Sequence, residues 1–297
     1  MAASDNYVRL LTKDDVHVIE RLLYTSEYTY QRFTLEELPL ALRRYPAVGA
    51  FHHTSMRGFL LSQTVNPPTA WIGGFGVSWT ESKAYHTLLD TLLDPLARHL
   101  LKRGVHHLHY SGSDVENDWL RAALLKRGFQ PYSRLYSYDK FDFTMPTPGN
   151  LQVTVRPVNL PKGWQSNTDT GDMTALLAIE EACFEDLWRY DDMAFRDIAT
   201  THPYFVVAEL NGRVVGYQFN TVEGEYGYLI RIAVHPAFNG MGIGARLMAE
   251  AIRFFQSEHV SRIMLNTQEE NVHAHRLYEW FGFIRVLQQG FVLRRAL

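Results

Sequence analysis

One cysteine, Cys183, in 297 residues cannot close an intramolecular disulfide, which removes the small disulfide-stapled scaffolds from consideration. No apolar run reaches the roughly 20 residues that a membrane-spanning helix needs. The first residues, Met-Ala-Ala-Ser-Asp, lack the basic-then-apolar form of a secretory leader. Charge of either sign is not in excess: 29 Lys plus Arg face 32 Asp plus Glu, a formal charge of -3. That balance argues against a general nucleic-acid or anionic-membrane binder. A cytoplasmic protein, monomer or homodimer, with no nucleic-acid or membrane partner, is the expectation. Histidine is plentiful, yet convergent ligand sets are lacking. The adjacent pair in His106-His107-x-His109 splits across the two faces of a strand, and His273 and His275 stand two apart on a helix. With no cysteine pair to support either cluster, no metal is expected. Cys183 lies on an apolar helix pattern and reads as core.

What is present is a concentration of glycine at one place. Tyr226 to Val234 has the composition of a strand, and Ile243, Leu247, Met248, Ala251, Ile252 and Phe255 recur at helical spacing. Between them Gly240, Gly242 and Gly244 open the helix. Glycine admits backbone angles closed to other residues and lets an anion approach the main chain. The unpaired amides of a first helical turn and the positive end of its dipole favour a pyrophosphate there.

This stretch, Asn239-Gly-Met-Gly242-Ile-Gly244, resembles motif A of the GNAT N-acetyltransferase superfamily, Arg/Gln-x-x-Gly-x-Gly/Ala, with Asn239 in place of the usual Arg or Gln. A second block, Asn271-Val-His-Ala274 through Tyr278 to Gly282-Phe283, resembles that family's Asn-x-x-Ala-x-x-x-Tyr-x-x-x-Gly-Phe signature. The resemblance implies acetyl-CoA as co-substrate and an amine as acceptor. It implies a diphosphate cradle over Asn239, Gly240, Met241, Gly242, Ile243, Gly244 and Ala245. Pantetheine would be held by strand addition along Ile232, Ala233 and Val234, where an amide would face the thioester oxygen. Asn271 and Ala274 would flank the cofactor arm, and Tyr278 would protonate the departing thiolate. A phenol of pKa about 10 beside a thiol of about 8.5 is not driven to give up its proton, so the resemblance supports that role and pKa alone does not. For the proton leaving the amine, Glu225 ahead of the central strand is a candidate base, and a water relay is the alternative. A non-catalytic acyl-CoA sensor is the rival reading.

A chain of this length exceeds a typical single domain. Lys126-Arg-Gly128-Phe129 lines up with Trp280-Phe-Gly282-Phe283, and Glu116-Asn117 with Glu270-Asn271, at one offset, 282 − 128 = 154. A period that long denotes duplicated domains rather than a solenoid. Residues 1–144 are expected to form a degenerate GNAT-like domain, the Pro- and Gly-rich 145–150 a linker, and 151–297 the catalytic domain. The expected fold class is α/β of the mixed α+β kind. Each tandem domain should be a mostly antiparallel twisted sheet with a central splayed strand pair flanked by helices. In the first copy the strand-to-helix connection, Val77 to Tyr85, has no glycine and carries Glu81, and Leu124 stands where the second copy has Tyr278. The first copy is therefore not expected to bind acetyl-CoA. Tyr24, Tyr28, Tyr30 and Phe33 could line a cleft there, with packing the simpler role. In length and in its active second copy the chain resembles the mycothiol synthases. Asn266 stands where ribosomal alanine acetyltransferases, by spacing, have a catalytic glutamate. No residue specifies the acceptor.

Overall fold

A computed structural model describes residues 6–79, 84–114, 118–160 and 171–297. Glu81 and the pair Glu116-Asn117 lie outside the described residues. Two compact units divide the chain: residues 1–112, 116–132 and 291–297 form the first, and residues 113–115 and 133–290 the second.

The first unit holds β1 (Asn6–Leu10), α1 (Val16–Thr25), β2 (Thr29–Gln31), α2 (Leu38–Arg44), β3 (Ala47–His52), β4 (Ser55–Asn66), β5 (Thr69–Val77), α3 (Tyr85–Leu101), β6 (His107–Ser113) and α4 (Trp119–Leu125). It is completed by the end of the last strand, β13 (Ile284–Ala296), beside β6. Leu88, Leu89, Leu92, Leu93, Leu96 and Leu100 all point from α3 into the sheet and are buried. Pro95 sits inside this single helix. It lies away from the buried stripe, and the carbonyl it leaves without a donor belongs to exposed Thr91. Ahead of α1, Thr12 caps the short 3-10 turn Lys13–Asp15, its side chain accepting from the Asp14 amide, while Asp15 binds Arg9.

The second unit holds β7 (Gln130–Lys140) from Ser133 onward, β8 (Thr154–Pro157), α5 (Met173–Cys183), α6 (Asp192–Thr201), β9 (Tyr204–Leu210), β10 (Arg213–Glu223), β11 (Tyr226–Val234), α7 (Ile243–Ser257), β12 (Arg262–Gln268), α8 (Val272–Trp280) and the start of β13. Its strands run β7-β12-β11-β10-β9-β8. The division differs from the expected one at two strands. β7 lies ahead of the linker, yet it pairs with β12 from Ile263↔Lys140 to Gln268↔Leu135. Backbone pairing therefore carries it into the second unit, while Phe291 to Leu297 joins the first. A repeat read by offset aligns the copies but does not reveal which sheet a strand enters. No helix among the described residues is long and apolar enough to cross a membrane.

Candidate active site

In the second unit β11 and β12 are parallel and pair only from Tyr226↔Arg262 to Tyr228↔Met264. Beyond that point they part, and among the described residues the inner edge of β11 has no strand partner. Opposite, the β10–β11 register slips between Phe219 and Asn220, so Ile230 is an extra residue in β11. Such a bulge bends a strand and increases its twist, which helps to open the gap.

The first unit has the same parting. β5 and β6 pair from Thr69↔His107 to Trp71↔His109. Here the freed edge of β5 is taken by the chain itself: β2 pairs with it from Thr29↔Gly76 to Gln31↔Gly74. The Tyr30 hydroxyl reaches across to the Ser111 carbonyl on β6 at 3.0 Å. Tyr28 stacks on Tyr85 at 4.7 Å and meets Trp119 edge-on. Tyr28 and Tyr30 thus fill the gap rather than lining an empty one, Phe33 packs in a separate core with Ile19 and Phe59, Tyr24 is exposed, and Leu124 is buried.

At the far end of β11 the glycine loop leads into α7. Gly240 and Gly242 have φ of 77° and 71°, the left-handed region that side-chain-bearing residues disfavour. Gly242 is the N-cap of α7. Gly244 needs no such angle, being helical, and lies beside Leu277 and Val234. Among the described residues the amides of Gly240 to Ala245 have no hydrogen-bond partner, whereas Arg246 N donates to Gly242 O at 3.0 Å. Six consecutive amides open at a helix N-terminus suit a diphosphate.

A cavity of about 450 Å³ occupies the gap beyond Tyr228 and Met264. Ile230, Arg231 and Ile232 line it from β11, Asn271 and Tyr278 from α8 and its cap. Tyr278 is buried, and its hydroxyl has no partner among the described residues. Burial, with the neighbouring Tyr138, holds the Tyr278 phenol above its ordinary range, and Arg231 opposes this. The Tyr138 hydroxyl is 2.8 Å from His275 Nδ1. Asn271 uses Oδ1 to accept from the Ala274 amide at 3.2 Å, capping α8, while Ala274 packs against the core. The structure thus gathers Ile232, Asn271 and Tyr278 at one cavity. Ala233 faces the α5 core instead. Glu225 is exposed in the turn between β10 and β11, at the closed end of the parting, and does not line the cavity.

The opposite wall is aromatic. Phe184, Trp188 and Tyr190, from the connection between α5 and α6, enclose Arg231. Its guanidinium lies 4.1 Å from the centroids of both Phe184 and Tyr190. It donates to Glu180 at 2.8 and 3.0 Å and to the Trp188 carbonyl at 2.8 Å. Glu180 is fully buried and also accepts from the Tyr217 hydroxyl and from the Tyr190 amide, the latter at 2.7 Å. The floor carries a cross-strand pair, Asn266↔Ser137. Asp139, the one carboxylate lining the cavity among the described residues, is bonded to Arg262. Sequence reasoning passed over Glu180, Trp188 and Tyr190. The available signal was Glu180, the first of two acids in the otherwise apolar stretch Ala175 to Cys183, because a buried charge demands a partner. Cys183 is not poised as a nucleophile: burial, with Glu180 nearby, pushes its thiol up to about 11.

Residues 173–283 match the acetyltransferase (GNAT) family. A mycothiol acetyltransferase of Frankia casuarinae is 30% identical over 149 residues, 42% of this chain and 42% of that protein. The chain thus spans about two-fifths of the length of the curated relatives it matches. Among solved structures, a tandem GNAT protein from the clavulanic acid biosynthesis pathway has a TM-score of 0.62 over 98% of both chains at 12% identity. A GCN5-related N-acetyltransferase from Sphaerobacter thermophilus gives 0.62 over 100% of this chain and 97% of that one at 14% identity. At such identities the structural likeness establishes the fold, a tandem GNAT fold, while the family match falls within the second unit.

Proposed function

We propose that this chain, an acyltransferase whose second unit carries the GNAT-family domain, transfers an acetyl group from acetyl-CoA directly to a primary amine in that unit. The observation that carries the assignment to the second unit is the contrast between the two partings. The β11 edge past Tyr228 is open, whereas the matching edge of β5 is filled by β2. An extended pantetheine arm bonds to an open edge as an added strand would. It has no place where Thr29 to Gln31 already pairs.

The amides of Gly240 to Ala245 then take the diphosphate, and the arm runs along β11 towards Ile230. The amine approaches over the aromatic wall and the Ser137–Asn266 floor and attacks the thioester carbonyl. A β11 amide near the bulge receives the developing oxyanion. When the tetrahedral intermediate collapses, the C–S bond breaks and the electron pair leaves on sulfur beside Tyr278. With its phenol above the ordinary range, full proton transfer to a thiolate of pKa about 8.5 is uphill. Tyr278 therefore acts chiefly by donating a hydrogen bond that stabilises the leaving thiolate. Neither buried acid at the site is free to take the amine's proton: Asp139 serves Arg262 and Glu180 serves Arg231. The proton leaves to solvent, and Glu225 has no part in it.

Titration calorimetry with acetyl-CoA tests the assignment, followed by measurement of CoA release with and without a panel of primary amines. One acetyl-CoA per chain, and release only when an amine is present, is the expected result. Two equivalent sites would contradict the filled first unit. Tight binding with no release across the panel would favour the sensor reading.

A further inference from the structure

Residues 145–150 read in sequence as a spacer, but the last two are fastened to the glycine loop within the second unit. The Asn150 amide N donates to Gly242 O at 3.2 Å, and its Nδ2 donates to Met241 O at 2.9 Å. Asn150 Oδ1 accepts from the Gln152 amide at 2.9 Å, which fixes the side chain with its Nδ2 towards the loop. Gly149 makes the close approach possible: its φ is 76°, and a Cβ there would lie 2.2 Å from the Arg246 amide nitrogen.

The consequence follows from the planar trans peptide, in which a carbonyl and the next N–H point in opposite directions. Turning the Met241 carbonyl towards Asn150 aims the Gly242 N–H away from it. Turning the Gly242 carbonyl the same way does so for the Ile243 N–H. Both amides belong to the unpartnered set that opens α7. A loop with two left-handed glycines has wide conformational freedom when unrestrained, and ordering it on binding would weaken the complex.

We propose that Asn150 is a positioning residue for acetyl-CoA, setting two donors of the diphosphate cradle before the ligand arrives. This rests on the reading of that loop as the acetyl-CoA site. The residue touches neither the acyl group nor the sulfur, so its influence is confined to ligands that carry a diphosphate.

Asn150→Ala and Asn150→Asp separate this from a general structural role. The aspartate keeps the acceptor for the Gln152 amide, removes the Nδ2 donor and brings a negative charge towards the cradle. Asn150→Ala is expected to raise the acetyl-CoA Kd about tenfold, the effect of a lost hydrogen bond, and Asn150→Asp more. The kcat at saturation and the acceptor KM should stay within about twofold. Acetyl-pantetheine, a thioester without the diphosphate, should be used by both variants with the wild-type kcat/KM. Unchanged acetyl-CoA affinity overturns the proposal, as does an equal loss for acetyl-pantetheine. Failure of the wild-type protein to bind acetyl-CoA overturns both the proposal and the reading beneath it. Binding by the wild type with no effect in either variant overturns the proposal alone.

Discussion

Tyr278 is a buried phenol whose hydroxyl no described residue engages, at a cavity that two strands part to form. Tyr278 lines the cavity, where a bound ligand can supply the acceptor for its hydroxyl. Tyr278→Phe, which removes a donor to the developing thiolate, should lower kcat by about 10²-fold and leave the calorimetric affinity for CoA within about threefold. Equal turnover would dismiss Tyr278 from the chemistry. His109 is buried for a different reason. It packs between Trp71 and Tyr132, and desolvation pushes its imidazole down to about 4 from 6.5. A folded-state value below the unfolded one means that the neutral form is fully stabilised above about pH 6.5. The stability is then lost as pH falls through the window from about 6.5 to 4. A depression of this size corresponds to roughly 3 kcal/mol. Melting temperatures measured from pH 7 to 4 should fall more steeply for wild type than for His109→Gln. Parallel slopes would show that His109 does not titrate with unfolding.

At the scale of elements, what could be read in the sequence was whatever repeats at the period of the structure or needs glycine. The α3 leucines and the α7 stripe announce their buried faces, and Gly240 and Gly242 stand where left-handed angles are required. The glycine loop was within reach for the same reason, whereas Tyr278 was singled out only through the resemblance of Asn271 to Phe283 to a family signature. β2 was not. Thr29, Tyr30 and Gln31 are too few to show alternation, and they form a strand only because β5 past Trp71 offers unpaired main-chain groups. The Glu180–Arg231 pair was hidden because its members lie 51 positions apart, and only the fold brings them within 2.8 Å. Glu225 was misplaced as a candidate base because nearness to β11 in sequence does not say at which end of a parting strand pair a residue falls. Asn150 was hidden by its setting. A proline- and glycine-rich stretch without periodicity resembles a spacer even when Gly149 is glycine so that it can press against α7.

For the molecule as a whole, the exchange of strands decides what can fold alone. A fragment of residues 151–297, the natural choice from the sequence repeat, lacks β7 and the pairs from Ile263↔Lys140 to Gln268↔Leu135. It exposes the outer edge of β12, strips Ser137 and Asp139 from the cavity, and leaves Arg262 without its carboxylate. It also carries Phe291 to Leu297, which belong to the first unit and bring apolar Phe291, Val292 and Leu293 into water. An unpaired edge with an exposed apolar strand is a template for aggregation. A fragment of residues 133–290 keeps β7, the linker with Asn150, the cradle and the cavity, and omits only residues 113–115 of the second unit. We expect 133–290 to unfold cooperatively by circular dichroism and to bind one acetyl-CoA by calorimetry, while 151–297 aggregates or melts without a transition. A well-folded 151–297 that binds acetyl-CoA as tightly as the full chain would mean that β7 is dispensable and that the second copy closes its sheet by itself.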